Sequence, residues 1–112
     1  MIKLTTQTPI LLAVAPTDFR LGIDGLVAVC RRQLDQTTNN GTLFVFINRR
    51  KTMIRALIYD GTGYWLMSKR LSKGKFSGWP KNSNVISTID AIYLQQILSG
   101  HDRSHFQQFL AN

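Results

Sequence analysis

The sequence predicts a single α+β domain, in which an antiparallel sheet of about four to five strands carries two main helices on one face. Three observations predict it. The length of 112 residues suits one compact domain covering residues 1–112. Short β-rich runs are separated by turn residues, and two segments space their apolar residues as helices do. Because short strands joined by glycine-containing turns can coil, a curved or barrel-like sheet is the alternative.

The first strand and the first helix are predicted before residue 35. The apolar run at residues 10–14 is short and is followed by Pro16, which favours a buried strand over a helix. A helix is expected from Ile23 onward, because helical spacing connects Ile23, Leu26, Val27, Cys30 and Leu34. A thiol within this apolar pattern is expected to be buried and to act as a small hydrophobic group.

The middle of the chain predicts three antiparallel strands. The turn signal at residues 39–41 precedes β-rich runs at Leu43–Ile47, Met53–Tyr59 and 64–67. Residues 48–52 and 60–63 connect these runs as hairpin loops. The first hairpin therefore carries a basic tip, and the last strand is expected to continue into a basic turn around Gly74.

A second helix is predicted towards the C-terminus. Residues 87–90 resemble a capping box, and Gly100 stands where a C-terminal cap is expected. The apolar face of this helix would comprise Ile89, Ile92, Tyr93 and Ile97. Residues 104–110 predict a short final helix.

Positive charge is concentrated in the middle of the chain. The net charge is +8, and no glutamate is present. Residues 49–81 hold nine lysines and arginines against one acid, Asp60, and the rest of the chain is neutral. This concentration attracts polyanions such as DNA or RNA, although a solvated basic face is the alternative. The cations predicted to contact nucleic acid are Arg49, Arg50, Lys51, Arg55, Lys69, Arg70, Lys73 and Lys75.

Few residues are suited to catalysis. Asp18, Asp24 and Asp60 would have to converge to form an acidic metal site, and each also suits a turn or a helix cap. His101 and His105 are spaced to share a helical face, but two ligands do not make a metal site. We therefore predict a protein that is not an enzyme and has no catalytic residue, metal or cofactor.

The aromatic residues near the cations have two interpretations. Tyr64, Trp65, Phe76 and Trp79 either stack on nucleic-acid bases or fill the core. For Trp65 we favour the core or an interface.

Membrane insertion is not expected. No apolar run approaches the ~20 residues that span a bilayer. The N-terminus also lacks the charged stretch, apolar run and cleavage site of a signal peptide. We expect a cytoplasmic protein with no membrane partner.

Several motifs together resemble a known family over about residues 9–100. They are Pro16-Thr17-Asp18-Phe19-Arg20, Gly22-Ile23-Asp24-Gly25-Leu26, Gly41-Thr42-Leu43-Phe44-Val45-Phe46, Asn48-Arg49-Arg50, Tyr59-Asp60-Gly61, Lys69-Arg70-Leu71, Gly74-Lys75-Phe76 and Trp79-Pro80. In order and spacing they resemble the TnpB-type accessory protein of the IS66 insertion-sequence group. The resemblance implies a small protein encoded beside a DDE transposase that assists transposition without a catalytic site of its own.

Two kinds of partner follow from the resemblance and the charge together. One is DNA, including the transposon ends. The other is the transposase, on which the chain would dock through Asp18 and Arg20 with exposed aromatic residues as anchors. An exposed edge strand would also permit a homo-oligomer.

Overall fold

The computed structural model describes residues 4–99. Its elements are β1 (Ile10–Ala13), α1 (Ile23–Arg32), β2 (Leu43–Ile47), β3 (Met53–Tyr59), β4 (Tyr64–Arg70), β5 (Ile86–Ile89) and α2 (Ala91–Leu98). The five strands form one sheet in the order β4-β3-β2-β1-β5. The predicted α+β class and strand number are confirmed, and the sheet is open because β4 and β5 do not pair with each other.

One strand pair is parallel, so the sheet is mixed and not purely antiparallel as predicted. Ile10 lies opposite Leu43 in the parallel pair of β1 and β2, whereas the other neighbouring strands are antiparallel. The connection between β1 and β2 contains α1. A crossover of this kind returns the chain to the end of the sheet from which it started, which makes adjacent strands parallel.

The two helices cover opposite faces of the sheet, whereas the sequence predicted one shared face. Val45 packs on the side of α2, together with Ile97. Its neighbour Phe44 packs on the side of α1, together with Cys30. All five residues of β2 are buried, and a central strand of this kind needs cover on both faces.

Residues 86–89 form a strand, although the sequence predicted that they begin the second helix. Ile89 pairs with Ile10 of β1. The helix begins after Asp90, whose carboxylate accepts a hydrogen bond from the Tyr93 N–H at 2.7 Å. Ile92 is 60% exposed and does not belong to the buried face. Pairing with β1 therefore outweighs the local capping signal, since β-branched residues pack well on a sheet.

The first helix forms as predicted and buries Cys30 completely. Burial raises the pKa of this thiol to about 12. The thiol therefore stays protonated at neutral pH and is a poor nucleophile. Its predicted role as a small buried hydrophobic group is confirmed.

Three sequence predictions concern residues beyond this part of the chain. Gly100, His101, His105 and the predicted final helix lie outside the described residues. Between residues 4 and 99, no helix has the length and hydrophobicity needed to cross a membrane.

Candidate nucleic-acid interface

The tip of the β2–β3 hairpin exposes Arg49 and Arg50. The Lys51 N–H donates to the Asn48 carbonyl at 3.0 Å, which closes a tight turn. Lys51 itself has a φ of 61°. A left-handed residue directly after a tight turn redirects the chain into the second strand of a hairpin.

Asn48 fixes the backbone of this tip through its side chain. Its Oδ1 accepts hydrogen bonds from the N–H groups of Thr52 at 2.9 Å and Met53 at 3.0 Å. Its Nδ2 donates to Thr52 Oγ1 at 3.0 Å. Asn48 is not among the site residues predicted from the sequence. The available signal was an asparagine in the first position of a turn, where its side chain bonds backbone groups further along.

The segment after β4 packs against the hairpin tip. The Leu71 N–H donates to the Thr52 carbonyl at 3.0 Å, and the Phe76 N–H donates to the Lys51 carbonyl at 2.8 Å. Between these two contacts the chain turns at Gly74, which has a φ of 78°. Residues 71–76 and the hairpin tip therefore share one end of the sheet.

Cations from both segments are thereby brought together. Arg70 pairs with Met53 in the last register position of β4, and Lys73 and Lys75 are exposed in the turn that follows. We call this group the basic end, and its members are Arg49, Arg50, Lys51, Arg70, Lys73 and Lys75. The sequence predicted the basic hairpin tip and the basic turn around Gly74 separately, and the packing of residues 71–76 against the tip brings the two together at one end of the sheet.

The acid within this part of the sequence lies far from the basic end. Asp60 begins the turn between β3 and β4, and its N–H donates to the Gly63 carbonyl at 3.0 Å. This turn is at the opposite end of β3 from the hairpin tip. At a rise of about 3.3 Å per residue, the length of β3 separates them by roughly 20 Å. Asp60 therefore does not neutralise the basic end.

Two of the predicted contact residues have partners within the chain. Arg55 Nη1 donates to the carbonyls of Phe19 at 2.8 Å and Leu21 at 3.1 Å. Its guanidinium carbon lies 4.9 Å from the centre of the Phe19 ring, which is a cation–π contact. Lys69 Nζ donates to the Leu98 carbonyl at the end of α2. Both side chains therefore connect elements of the fold.

Asp18 and Arg20 form an exposed ion pair next to the hairpin tip. The Thr17 N–H donates to the Ile47 carbonyl at 2.9 Å, which holds this loop against the end of β2. Arg20 Nη2 lies 2.7 Å from Asp18 Oδ2, and Arg20 Nε also donates to this carboxylate. Arg20 lowers the pKa of Asp18 to about 2. The pair is therefore fully charged at neutral pH but carries no net charge.

A cavity of about 440 Å³ lies between this loop and the hairpin tip. Residues 16–20 line one side, and residues 48–50 line the other. The residues predicted for partner docking, Asp18 and Arg20, are therefore neighbours of Arg49 and Arg50, which were predicted for nucleic acid.

The aromatic residues near the cations separate into core and surface. Phe76 and Trp79 are buried on the side of α2, so they fill the core. Tyr64 is partly buried on the side of α1, where its hydroxyl bonds with that of Thr38. Trp65 is 43% exposed on β4 and is therefore not a core residue.

The three aspartates considered as metal ligands do not converge. Asp60 Oδ1 accepts from the N–H groups of Thr62 and Gly63, and these bonds hold its pKa well below the ordinary value. Asp18 lies at the other end of the sheet, and Asp24 is in the first turn of α1. Across residues 4–99, no three His, Cys, Asp or Glu side chains are grouped to hold a metal ion. Asp18 and Asp60 serve turns, as the sequence also indicated.

The comparison with known families decides the identity. A family model described as "IS66 Orf2 like protein" matches residues 8–108. The chain belongs to this family. It is therefore a transposition-associated accessory protein, and the resemblance found in the sequence motifs is confirmed.

Two relatives of this IS66 Orf2-like chain come from Sinorhizobium fredii. The uncharacterized protein y4hO is 33% identical over 97 residues, covering 87% of the chain and 84% of the relative. The uncharacterized protein y4jC is 40% identical over 67 residues, covering 60% of the chain and 57% of the relative. No solved structure matches the chain significantly.

Proposed function

We propose that this IS66 Orf2-like protein is a non-catalytic accessory factor of DNA transposition that binds the DNA backbone through its basic end. The supporting observation is the convergence of six cations from two separate segments at one end of the sheet. Five of them are exposed, and Lys51 is half-buried. Exposed lysines and arginines that neutralise phosphates release counterions, which drives binding to DNA of any sequence.

The hairpin tip supplies the arginines that would approach the bases. Arg49 and Arg50 are exposed in the loop between β2 and β3, whereas the two strands themselves lie inside the five-stranded sheet. Contacts to phosphates fix the position of a protein but do not read sequence. An arginine that reaches the edge of a guanine would add sequence preference. Preference for the transposon end is therefore a separate question from affinity.

The salt dependence of binding to labelled duplexes tests this proposal. A transposon-end duplex and an unrelated duplex of equal length would be titrated at salt concentrations between about 50 and 200 mM. Six phosphate contacts predict a slope of about −5 for log K against log salt, and a loss of about 10³ in affinity over this range. Failure to bind either duplex at low salt would refute the proposal.

Matched arginine pairs test the location of the binding surface. Changing Arg49→Ala together with Arg50→Ala removes two cations from the basic end, so the slope should become shallower by about 2. Changing Arg31→Ala together with Arg32→Ala removes the same charge from the exposed last turn of α1. The second change should leave most of the slope intact. Equal effects of the two pairs would mean that net charge, and not the basic end, determines binding.

Docking on the transposase is the second candidate function. The observation that favours it is the exposed ion pair of Asp18 and Arg20 beside the 440 Å³ cavity. Co-purification of the transposase from nuclease-treated extract would support it, because DNA could then not bridge the two proteins. Loss of co-purification in the Asp18→Ala and Arg20→Ala variants would place the contact there. Retention of the transposase by both variants would refute this surface.

A further inference from the structure

We infer that the outer edge of β4 is a dimerisation surface, on which a second copy of the chain adds its own β4 in antiparallel orientation centred on Met67. This inference does not rest on DNA binding. It follows from the hydrogen-bonding groups and side chains along one strand.

The edge strand β4 is long and incompletely covered. It has seven residues, and within residues 4–99 no further strand pairs with its outer side. Trp65 is 43% exposed and Met67 is 36% exposed. Both are odd-numbered residues, so their side chains lie on the same face of β4, and α2 covers another part of that face of the sheet. An edge of this kind presents unpaired N–H and C=O groups to another strand.

The hydrogen bonds at the two ends of the β3–β4 ladder identify which residues face outward. Asp60 N bonds Gly63 O, and Leu71 N bonds Thr52 O. Hydrogen-bonded positions alternate along an antiparallel pair, so the odd-numbered residues from 63 to 71 bond β3. The even-numbered residues 64, 66, 68 and 70 therefore direct their backbone N–H and C=O groups away from the sheet.

This pattern restricts how two copies can pair. Outward-facing residues must meet outward-facing residues, so the two strands must align even positions with even positions. Centring the pair on Met67 satisfies this condition and uses the whole of β4. Leu66 then bonds Ser68 of the second copy, and Tyr64 bonds Arg70. Met67 faces Met67 of the second copy in a position without backbone hydrogen bonds.

The side chains along β4 complement one another in this register. One end of the strand carries Trp65, whose indole N–H donates to Asp60 Oδ2 at 2.7 Å. The other end carries Lys69 and Arg70. Antiparallel pairing places Lys69 of each copy against Trp65 of the other, close to the Asp60 carboxylate. Cations are attracted both to an indole face and to a carboxylate.

A parallel arrangement would have the opposite effect. It would place Lys69 and Arg70 of one copy alongside the same cations of the other, and like charges repel. Lys69 can bond the Leu98 carbonyl and still contact a second copy, because an ammonium group has three donors. The strand is therefore complementary to itself in one orientation.

Cysteine cross-linking in the full-length protein tests the register. In the paired position the Cα atoms of Met67 would be about 4.5 Å apart, which is within disulfide reach. The Met67→Cys variant should form a covalent dimer under mild oxidation. The Lys69→Cys variant should not, because its two copies would lie roughly 13 Å apart along the strands. The native Cys30 is fully buried and should not compete.

Proline substitution tests the edge without changing charge. In the Ser68→Pro variant the lost N–H faces outward, so the bonds to β3 remain. Wild-type protein should sediment as a dimer, and Ser68→Pro should shift it to a monomer with an unchanged circular dichroism spectrum. Thr88→Pro is the matched control, because Thr88 is exposed on β5. The hydrogen bond from Val14 N to Val85 O fixes which residues of β5 bond β1, and by alternation the Thr88 N–H also faces away from the sheet. This control should remain dimeric.

Three results would overturn the inference. One is a monomeric wild-type protein at every concentration tested. Another is cross-linking of Lys69→Cys in preference to Met67→Cys. The third is equal loss of the dimer in Thr88→Pro and Ser68→Pro.

Discussion

Asn48 shows how one side chain controls the surface that the basic end presents. Its carboxamide makes three hydrogen bonds across the hairpin loop. Arg49 and Arg50 make none of these bonds and remain free to reach outward. The residue that organises the tip is therefore different from the residues expected to bind.

Removing this carboxamide should destabilise the protein. The Asn48→Ala variant loses three hydrogen bonds, so its free energy of unfolding should fall by about 1–3 kcal/mol in urea unfolding. Asn82→Ala is a suitable control, because Asn82 accepts one bond, from Asn84 N, on an exposed loop. That variant should lose less than about 1 kcal/mol. Equal losses would contradict a special role for Asn48.

Arg55 connects two elements of the fold, although the sequence grouped it with the cations expected to bind DNA. Arg55 lies on β3 but bonds the loop that leads into α1, through the carbonyls of Phe19 and Leu21. That loop forms one wall of the cavity beside the hairpin tip. The position of Asp18 and Arg20 therefore depends on a contact between β3 and the loop.

Replacing Arg55 with lysine tests this connection. A lysine keeps the charge but lacks the planar fork that bonds two carbonyls and stacks on a ring. Arg55→Lys should lower the free energy of unfolding by about 1–2 kcal/mol and leave the salt dependence of DNA binding unchanged. Arg50→Lys, at an exposed position, should change stability by less than about 0.5 kcal/mol. A shallower salt slope in Arg55→Lys would indicate direct contact with phosphates instead.

The whole molecule places its charged clusters at the two ends of the sheet, because helices and connecting segments cover most of both faces. The basic end and the ion pair of Asp18 and Arg20 lie at one end. Asp60 and its turn lie at the other. Both carboxylates have pKa values below the ordinary aspartate value.

Stability should therefore decline in acid. A carboxylate whose pKa is lower in the folded state than in the unfolded state stabilises the fold at pH values above its unfolded pKa, which is about 3.9. The contribution is lost as the pH falls through the folded value, which is about 2 for Asp18. The Tm followed by circular dichroism should fall between about pH 4 and pH 2. The Asp60→Asn variant should have a lower Tm than the wild-type protein near neutral pH, and its Tm should fall less steeply as the pH is lowered. Parallel curves of Tm against pH for the variant and the wild-type protein would contradict this account.

The sequence by itself determined the features that depend on local patterns. Apolar spacing predicted α1 with its buried Cys30. Short β-rich runs bounded by turn residues predicted β2 and β3. The position of the charge, in residues 49–81, also needs no structure. Ordered turn motifs were sufficient to indicate the family.

The tertiary structure decided which of these features meet. Residues 86–89 carry a helix-capping signal but become a strand because β1 offers them a partner. Arg55 and Lys69 look like surface cations in the sequence, and only long-range packing supplies the carbonyls that they bond. The basic end exists because backbone bonds from Leu71 and Phe76 hold a distant turn against the hairpin tip. Contacts between residues far apart in the chain leave no periodic trace in the sequence, so the structure was needed to find them.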